Sequence, residues 1–387
     1  MKGEAMYRVI LALSLIGFPA FAVLLSGCGE QAAEETPDVS GENAMDTLHL
    51  AVTDTIGVEM GDSSYVFALL ISACYGPDGN ILALDGQKCC VSAFSPDGEH
   101  LYDIGRHGAG PGEFQFPMSM TPLLDGRLAV ADILNRGVSF FDENGEYTGM
   151  LSDFAFGPPG SLAPGPDNSL YGEFMAMNMN DDEMEAALNV ARWDSLHSPD
   201  PAVTYVSYPV AMNVSGGDTE VSRTPEVSFA VDPEGNIFIA EVSDTLLSIS
   251  GYSPDCDTIF QYSEEWEKVP KSQAEIDAGD LGLSVTMSDA GASASTFRNE
   301  DVHPWRNITE SIGVDDRGRV WVEMGDGDNP YFRIYDYSGE LVAIGILDVE
   351  FGMVGAPVFA ITPWGMLAYD RDPIDYPKIY LLDVLEG

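Results

Sequence analysis

The sequence of 387 residues contains 63 acidic and 17 basic side chains, which gives a formal net charge of −46. Binding to nucleic acid or to anionic lipid headgroups requires clustered Lys and Arg, so this charge excludes both classes of partner. Hydrophobic residues make up 45% of the chain, which is enough for a sizeable core and argues against global disorder. The acidity has two explanations that the sequence leaves open, a strongly solvated surface and adaptation to high salt.

The first element is an N-terminal apolar segment. Lys2 and Arg8 precede an apolar run over 9–25, which is short for a membrane-spanning helix and ends in Leu-Ser-Gly-Cys at Cys28. The segment resembles a bacterial lipoprotein signal peptide with its lipobox. The resemblance implies removal of 1–27, acylation of Cys28, and a cell-envelope protein that is held by lipid alone, in an outer membrane, in the periplasm or at the cell surface. The alternatives are a transmembrane anchor and an ordinary secretory signal peptide.

Internal repeats follow a short polar segment. Residues 28–45 are small, polar and acidic, which is typical of a flexible tether, and the folded domain is expected to span 46–387. Within that domain, six segments share a turn glycine or aspartate, a short β-branched strand, a polar loop and an aromatic-bearing strand. The first two copies align without a gap and place Asp85 on Asp132. The copies begin at Gly79, Gly126, Asp167, Gly235, Gly318 and Gly365.

Each repeat has room for four antiparallel strands, and a sheet of that size cannot bury both faces alone. The sequence therefore predicts an all-β fold in which six sheets stack radially as a six-bladed β-propeller. The last copy ends after its third strand at Leu382–Leu385, while an unpaired strand begins at Thr47. We expect this first strand to complete the last sheet and to protect its edge. An open β-solenoid or two β-sandwiches are the alternatives.

The glycine-rich stretch Gly105–Pro117, GRHGAGPGEFQFP, has the look of a phosphate-binding loop. A dinucleotide fingerprint needs a helix after the glycines, whereas a strand-like run follows here. From Ile104 to Asp142 the sequence resembles an NHL-type propeller repeat, with its glycine-rich connector, Gly-Pro-Gly-Glu-Phe, Asp-Gly-Arg-Leu and Val-Ala-Asp. The resemblance implies that the glycines connect the outer strand of one blade to the inner strand of the next, with Phe114 and Phe116 wedged between blades.

The same resemblance implies a ligand site at one mouth of the central channel, where connectors and second-to-third-strand loops meet. The residues expected to bind a ligand on that face are Arg106, His107, Asp132, Arg136, Trp305 and Arg306. Four acids recur at one point of the repeat, namely Asp85, Asp132, Glu241 and Asp370, and Phe174 and Met324 replace them in the other copies. These acids either cap their own loops through backbone N–H groups or converge on a cation such as Ca²⁺. No other cofactor is expected.

Cysteine usage favours neither a metal site nor a redox site. Cys74, Cys89, Cys90 and Cys256 contain no CxxC pair, and an exported chain permits disulfides without this spacing requiring them. We expect buried free thiols. Of the five histidines, His107 and His303 are the only ones on the predicted ligand face.

Two insertions interrupt the repeats. The Met- and acid-rich segment 178–188 is expected to contain a helical turn over 182–188. A longer insertion spans 264–304, and within it Ser272 and Glu275 have the spacing of a helix capping box. Excursions of this length in a compact domain serve as binding loops, lids or disordered decorations.

These observations favour a lipid-anchored module that binds a protein, a peptide or a carbohydrate. The competing prediction is a metal-assisted hydrolase or lyase, because six-bladed relatives include gluconolactonase-type hydrolases and peptidyl-amidoglycolate lyases. No HxH or HExxH pattern and no nucleophile elbow supports an enzyme. A structural spacer without a ligand is the third alternative.

Overall fold

The chain forms β-strands because its apolar runs are short and end at Gly, Pro, Asp and Asn turns. The computed structural model describes residues 8–10, 13–14 and 45–385, apart from 155–156, 181–182, 216–217, 224–225, 279, 289–290, 300–301, 328, 349–356 and 371–375. The predicted signal peptide, Cys28 and the tether therefore lie outside the described residues, except for two short strands and Met45. Among the described residues, no helix is long and apolar enough to span a membrane.

Three strands precede the first sheet, and two antiparallel four-stranded sheets follow them. The three strands are β1 (Arg8–Ile10), β2 (Leu13–Ser14) and β3 (Asp46–Ile56). The first sheet contains β4 (Leu70–Tyr75), β5 (Ile81–Asp85), β6 (Cys90–Phe94) and β7 (His100–Ile104). The second contains β8 (Pro117–Pro122), β9 (Leu128–Asp132), β10 (Gly137–Phe141) and β11 (Tyr147–Leu151).

The third and fourth sheets continue the pattern with longer strands. The third contains β12 (Leu162–Pro164), β13 (Leu170–Asn180), β14 (Glu183–Trp193), β15 (Val203–Ser215) and β16 (Asp218–Arg223), with β1 beside β16 and a 3₁₀ turn at Pro166–Asn168. The fourth contains β17 (Val227–Val231), β18 (Ile237–Glu241), β19 (Leu246–Tyr252) and β20 (Thr258–Glu265). Strands β13 and β14 pair as far as Asn180 and Glu183. The helical turn predicted for 182–188 is therefore wrong, because this segment extends the hairpin instead.

The insertion folds as a helix and a hairpin. Helix α1 (Gln273–Ala278) precedes β21 (Asp280–Ser288) and β22 (Gly291–Asn299), which pair with each other, and β2 lies beside β21. The predicted capping box is confirmed: the Ser272 backbone N–H donates to the Glu275 carboxylate at 2.6 Å, and the Glu275 N–H donates to the Ser272 hydroxyl at 3.3 Å. Both interactions satisfy backbone donors at the start of the helix.

The remaining strands form one eight-stranded sheet. They are β23 (Thr309–Val314), β24 (Val320–Met324), β25 (Tyr331–Tyr335), β26 (Leu341–Leu347), β27 (Val358–Thr362), β28 (Gly365–Tyr369) and β29 (Ile379–Leu385). Strand β3 completes this sheet, antiparallel to β29 and parallel to β26. The start of the folded domain thus pairs with its end, as the sequence predicts, and neither strand edge is left open there.

The sheets are arranged around an axis in the manner of a propeller. The innermost strands contact one another in the order β4, β8, β12, β17, β23 and β27, and β27 contacts β4 again. All six line a central cavity of about 200 Å³. The apolar core lies between neighbouring sheets. Phe114, for example, is fully buried in the cluster that joins the first two sheets, where it packs edge-on against Phe141.

The glycine-rich stretch is the connector between β7 and β8, which confirms its predicted position. Its backbone folds back on itself, with the Gly108 N–H bonded to the Phe114 carbonyl and the Phe114 N–H to the Arg106 carbonyl, both at 2.8 Å. Gly105 has a φ of 83°, and a Cβ there would overlap the ring of Phe114. The glycine is therefore required by both conformation and packing.

The four cysteines of the domain are free thiols. Cys89 and Cys90 are buried and Cys74 is partly buried on β4, whereas Cys256 is exposed at a turn. The expectation of burial is therefore wrong for Cys256. Burial raises the pKa of Cys74 to about 12, so this thiol is protonated and unreactive.

Candidate functional site

The predicted ligand residues near the first connector are exposed and interact locally. Arg106 leaves 80% of its side chain exposed and pairs with Glu113 at 2.7 Å. Hydrogen bonds from the Gly110 backbone N–H and from Arg106 lower the pKa of Glu113. His107 and Arg136 are also exposed. These residues belong to loops of the first two sheets, and Arg106 stabilises the connector through its ion pair with Glu113.

Asp85 and Asp132 occupy equivalent positions and cap their loops. The Asp132 carboxylate accepts backbone N–H groups of Gln115 at 2.6 Å, Leu134 at 3.0 Å and Asn135 at 2.9 Å. Asp85 accepts the corresponding groups, including the Ala68 N–H at 2.7 Å. Burial raises the pKa of Asp132, and the backbone donors oppose that effect. The capping alternative is therefore confirmed for these two acids.

The other two acids of the recurring series accept side-chain hydroxyls. Glu241 accepts the Tyr208 hydroxyl at 3.2 Å, and the buried Asp370 accepts the Tyr380 hydroxyl at 2.8 Å. Each of the four acids lies at the end of the second strand of a different repeat. Within the described residues, no three His, Cys, Asp or Glu side chains gather closely enough to hold a metal ion.

Trp305 and Arg306 face different surroundings although they are neighbours in the chain. Arg306 is buried and forms a bidentate pair with Glu275, with nitrogen–oxygen distances of 2.9 and 3.0 Å, while its third nitrogen donates to the Gly327 carbonyl. Trp305 is half-buried, and the Lys268 ammonium lies 5.6 Å from its ring centre. Arg306 thus fastens the insertion to the fold, whereas Arg106 pairs with Glu113 in the connector of the first two sheets.

A second group of acids, absent from the predicted series, lies at a β-bulge in the innermost strand β23. The bulge falls between Thr309 and Ile312 and places Glu310 and Ser311 opposite β24. Ser311 donates its hydroxyl to Glu323 at 2.6 Å. Glu310 is only 9% exposed, and among the described residues no donor lies within hydrogen-bond distance of its Oε2.

Two neighbouring sheets extend this group. Glu226 immediately precedes the innermost strand β17, and Glu173 on β13 accepts the Ser161 hydroxyl at 3.2 Å just before β12. We call Glu173, Glu226, Glu310 and Glu323 the acidic arc. The arc follows three consecutive sheets at the end where the chain begins each innermost strand, which is the face predicted to bind a ligand.

The acidic arc brings like charges together at limited exposure: Glu310 and Glu323 are buried, whereas Glu173 and Glu226 are partly buried. Burial raises the pKa of Glu173 and of Glu323 to about 7. Burial, together with the charges of Glu323 and Glu226, raises the pKa of Glu310 well above its usual range, and a hydrogen bond from Asn307 and the charge of Lys271 only partly oppose this shift. Glu173 and Glu323 therefore exchange protons near neutral pH, and a cation that approaches a buried carboxylate stabilises its ionised form.

The acidic arc is not predicted from the sequence, because the recurring acids of the repeat lie at the end of the second strand and the acids of the arc lie at other positions. Glu173 and Glu323 directly precede Phe174 and Met324, the two residues that replace an acid in the recurring series. The available signal was a carboxylate inside an apolar strand, as in Val-Trp-Val-Glu-Met, since Glu is seldom fully buried without a partner.

No protein-family description and no curated protein matches this chain. The PQQ-bound aldose sugar dehydrogenase of Streptomyces coelicolor is 13% identical over 87% of this chain and 98% of its own, with a TM-score of 0.46. Virginiamycin B lyase of Staphylococcus aureus in complex with quinupristin is 10% identical over 85% of this chain and 99% of its own, with a TM-score of 0.41. These structures are β-propellers, and the similarity concerns the fold alone.

Proposed function

We propose that this chain is a lipid-anchored, six-bladed β-propeller of the bacterial cell envelope that binds a protein, peptide or carbohydrate. Two observations support six blades. Six innermost strands contact one another in a closed ring, and all six line one cavity. The eight-stranded sheet counts as two blades, β23–β26 and β27–β29 with β3, because its strands are antiparallel except where β26 meets β3.

The acidic arc is the observation that carries the binding function. Three consecutive sheets each contribute a carboxylate at one end of the ring, and Glu310 Oε2 is buried without a donor among the described residues. Natural proteins seldom bury an unpaired polar atom unless it serves a ligand or a reaction. The channel mouth is therefore the proposed site, with the insertion 264–304 beside it.

Peptide and glycan arrays probed with the labelled full chain test this function. We expect a restricted set of array spots to bind the wild-type chain and to lose binding in Glu310→Gln. The matched control is Glu143→Gln, which removes the same charge from an exposed turn between β10 and β11. The proposal fails if no array spot binds above background, or if both variants behave alike.

The lipid anchor is tested separately. Acylation of Cys28 would partition the chain into the detergent phase of a cloud-point extraction, whereas Cys28→Ser would remain in the aqueous phase. Cys256→Ser, which alters an exposed thiol of the folded domain, is the control. Equal partitioning of wild type and Cys28→Ser would refute the anchor without affecting the proposed binding site.

A further inference from the structure

We infer that a groove between the third and fourth sheets binds a neutral sugar unit of a glycan. The groove lies between β15 of the third sheet and the strands β18, β19 and β20 of the fourth, and its volume is about 420 Å³. Sites for small molecules span roughly 300–1,000 Å³, so one sugar unit fits. None of the described lining residues belongs to an innermost strand, so the groove is separate from the central cavity and the inference goes beyond the proposed function.

The groove exists because strand β19 presents short polar side chains to the third sheet. Along β19, buried Leu247 and Ile249 alternate with the partly exposed Ser248 and Ser250. Leu247 and Ile249 pack in the core shared with the next sheet, whereas the two serines line the space toward β15. On β18, by contrast, Ile239 is buried in an apolar cluster with the third sheet. The two sheets therefore pack together at β18 and leave a groove at β19.

The corresponding serine of the first sheet is closed off from solvent. Strand pairing places Ser92 of β6 at the position that Ser250 occupies in β19. Ser92 is 5% exposed and donates its hydroxyl to Asp103 of the neighbouring strand at 2.7 Å. Ser250 lies opposite Gln261, is partly exposed, and has no side-chain hydrogen bond among the described residues. The hydroxyl of Ser250 is thus available to a ligand.

Four polar side chains of the groove share this property. Among the described residues, no hydrogen-bond partner exists for the side chains of Ser248, Ser250, Gln261 and Ser263. Each of these hydroxyl and amide groups can both donate and accept. A sugar hydroxyl has the same double capacity, so it can pair with them in either direction without any charge.

Glu241 adds an acceptor of defined orientation to the groove. Its Oε1 accepts the Tyr208 hydroxyl at 3.2 Å, and its Oε2 has no partner among the described residues. Burial and the charge of Glu241 raise the pKa of Tyr208, so this hydroxyl stays protonated and holds the carboxylate in place. The Oε2 atom can then accept a charge-assisted hydrogen bond from a ligand hydroxyl.

The lining of the groove selects a neutral carbohydrate. Its described residues include one carboxylate and no Lys, Arg or His, so the groove repels an anionic sugar. Val206 and Tyr252 pack against the apolar cluster between the two sheets and form the apolar part of the lining. Apolar and aromatic surface beside polar groups matches a sugar ring, which has C–H groups on its faces and hydroxyl groups at its edge. An apolar peptide side chain would leave the serine hydroxyl groups unpaired, which lowers affinity.

A glycan array probed with the labelled full chain in mild detergent provides the test. Neutral glycans are printed beside counterparts in which one sugar unit carries a carboxylate or a sulfate group. We expect a subset of the neutral glycans to bind, and their anionic counterparts to bind at least about tenfold more weakly, because like charges oppose each other in the groove.

Variants locate the binding. Ser250→Leu fills the groove and Gln261→Ala removes its amide, and each should weaken binding of the neutral glycans by about tenfold or more. Gln87→Ala is the matched control, because it removes an exposed glutamine from the turn between β5 and β6 and should leave binding unchanged. Circular dichroism verifies that all three variants are folded.

The outcomes separate this groove from the channel mouth. Absence of binding to every neutral glycan, or equal binding by wild type and Ser250→Leu, overturns the inference. Glycan binding that Glu310→Gln abolishes and Ser250→Leu retains would overturn it and favour the channel mouth instead. Binding restricted to peptides would overturn it as well and leave the proposed function standing, whereas an array without any binding would remove both.

Discussion

At the scale of single residues, Glu323 couples folding to pH. Burial raises its pKa from 4.5 to about 7, so between these values the folded chain binds more protons than the unfolded chain. The stability contributed by the protonated carboxyl is fully present below about pH 4.5 and is lost as the pH rises through 7. Glu173 has the same shift and the same sign.

We predict that Glu323→Gln is more stable than the wild type at about pH 8 and equally stable at about pH 5. The amide is neutral at both pH values and can still accept the Ser311 hydroxyl. The gain at the higher pH should be on the order of 2 kcal/mol, since one pKa unit corresponds to roughly 1.4 kcal/mol. Urea denaturation at both pH values measures it, with Glu143→Gln as the exposed control. An increase in the free energy of unfolding that is the same at both pH values would contradict the raised pKa of Glu323.

At the scale of elements, the insertion is held by a buried ion pair. Arg306, just before β23, holds Glu275 of helix α1, and the same glutamate caps that helix through Ser272. Backbone hydrogen bonds complete the attachment, from the Arg306 N–H to the Val269 carbonyl and from the Lys271 N–H to the Pro304 carbonyl. The two ends of the insertion are therefore tied together at its base.

We predict that Arg306→Ala destabilises the domain by about 3–5 kcal/mol, because it leaves the Glu275 carboxylate buried without its cation. Arg106→Ala breaks an exposed pair with Glu113 and should cost less than about 1 kcal/mol. Urea denaturation and limited proteolysis of the insertion measure both effects. The double variant Arg306→Met with Glu275→Leu should lose less stability than Arg306→Met and Glu275→Leu lose together when each is measured singly. A loss equal to that sum would argue against a coupled pair.

The sequence predicts correctly those elements that are determined by residues close together in the chain. Turn residues such as Asp142 and Gly145 fix the hairpins, and Ser272 with Glu275 fixes a helix start. The sequence does not predict the full length of the hairpin formed by β13 and β14. Residues 183–188 favour a helical turn locally, but pairing with β13 keeps them in a strand. The acidic arc depends on a bulge in β23 and on the packing of three sheets, and neither is encoded in one position of the repeat.

Two of the predicted ligand residues, Arg106 and Arg306, differ in exposure although their positions in the repeat are equivalent. Arg106 and Arg306 belong to equivalent connectors, so repeat analysis placed both on one face. The position of the partner carboxylate decides whether each arginine is exposed or buried. Arg106 pairs with Glu113 at the surface, whereas Arg306 pairs with the buried Glu275. The difference arises from the insertion, which only one connector carries.

At the scale of the whole molecule, closure of the ring depends on β3. Leu50 of this strand is fully buried in the cluster that also contains Leu382 of β29. We predict that Leu50→Ala costs about 2–5 kcal/mol, through lost burial and the cavity left behind. Leu385→Ala removes the same atoms from a side chain that is 46% exposed on β29 and should cost much less. Thermal unfolding measures both variants, and equal losses would show that β3 is not an integral part of the core.

The pairing of β3 with β29 has a consequence for biosynthesis. The chain segment made first among the described elements of the domain must wait for the segment made last, more than 300 residues later. Loop closure over this distance is slow and cannot begin while the C-terminal strand is still inside the ribosome. A nascent chain therefore stays incomplete, with open sheet edges and a need for protection by chaperones, until β29 has left the ribosome.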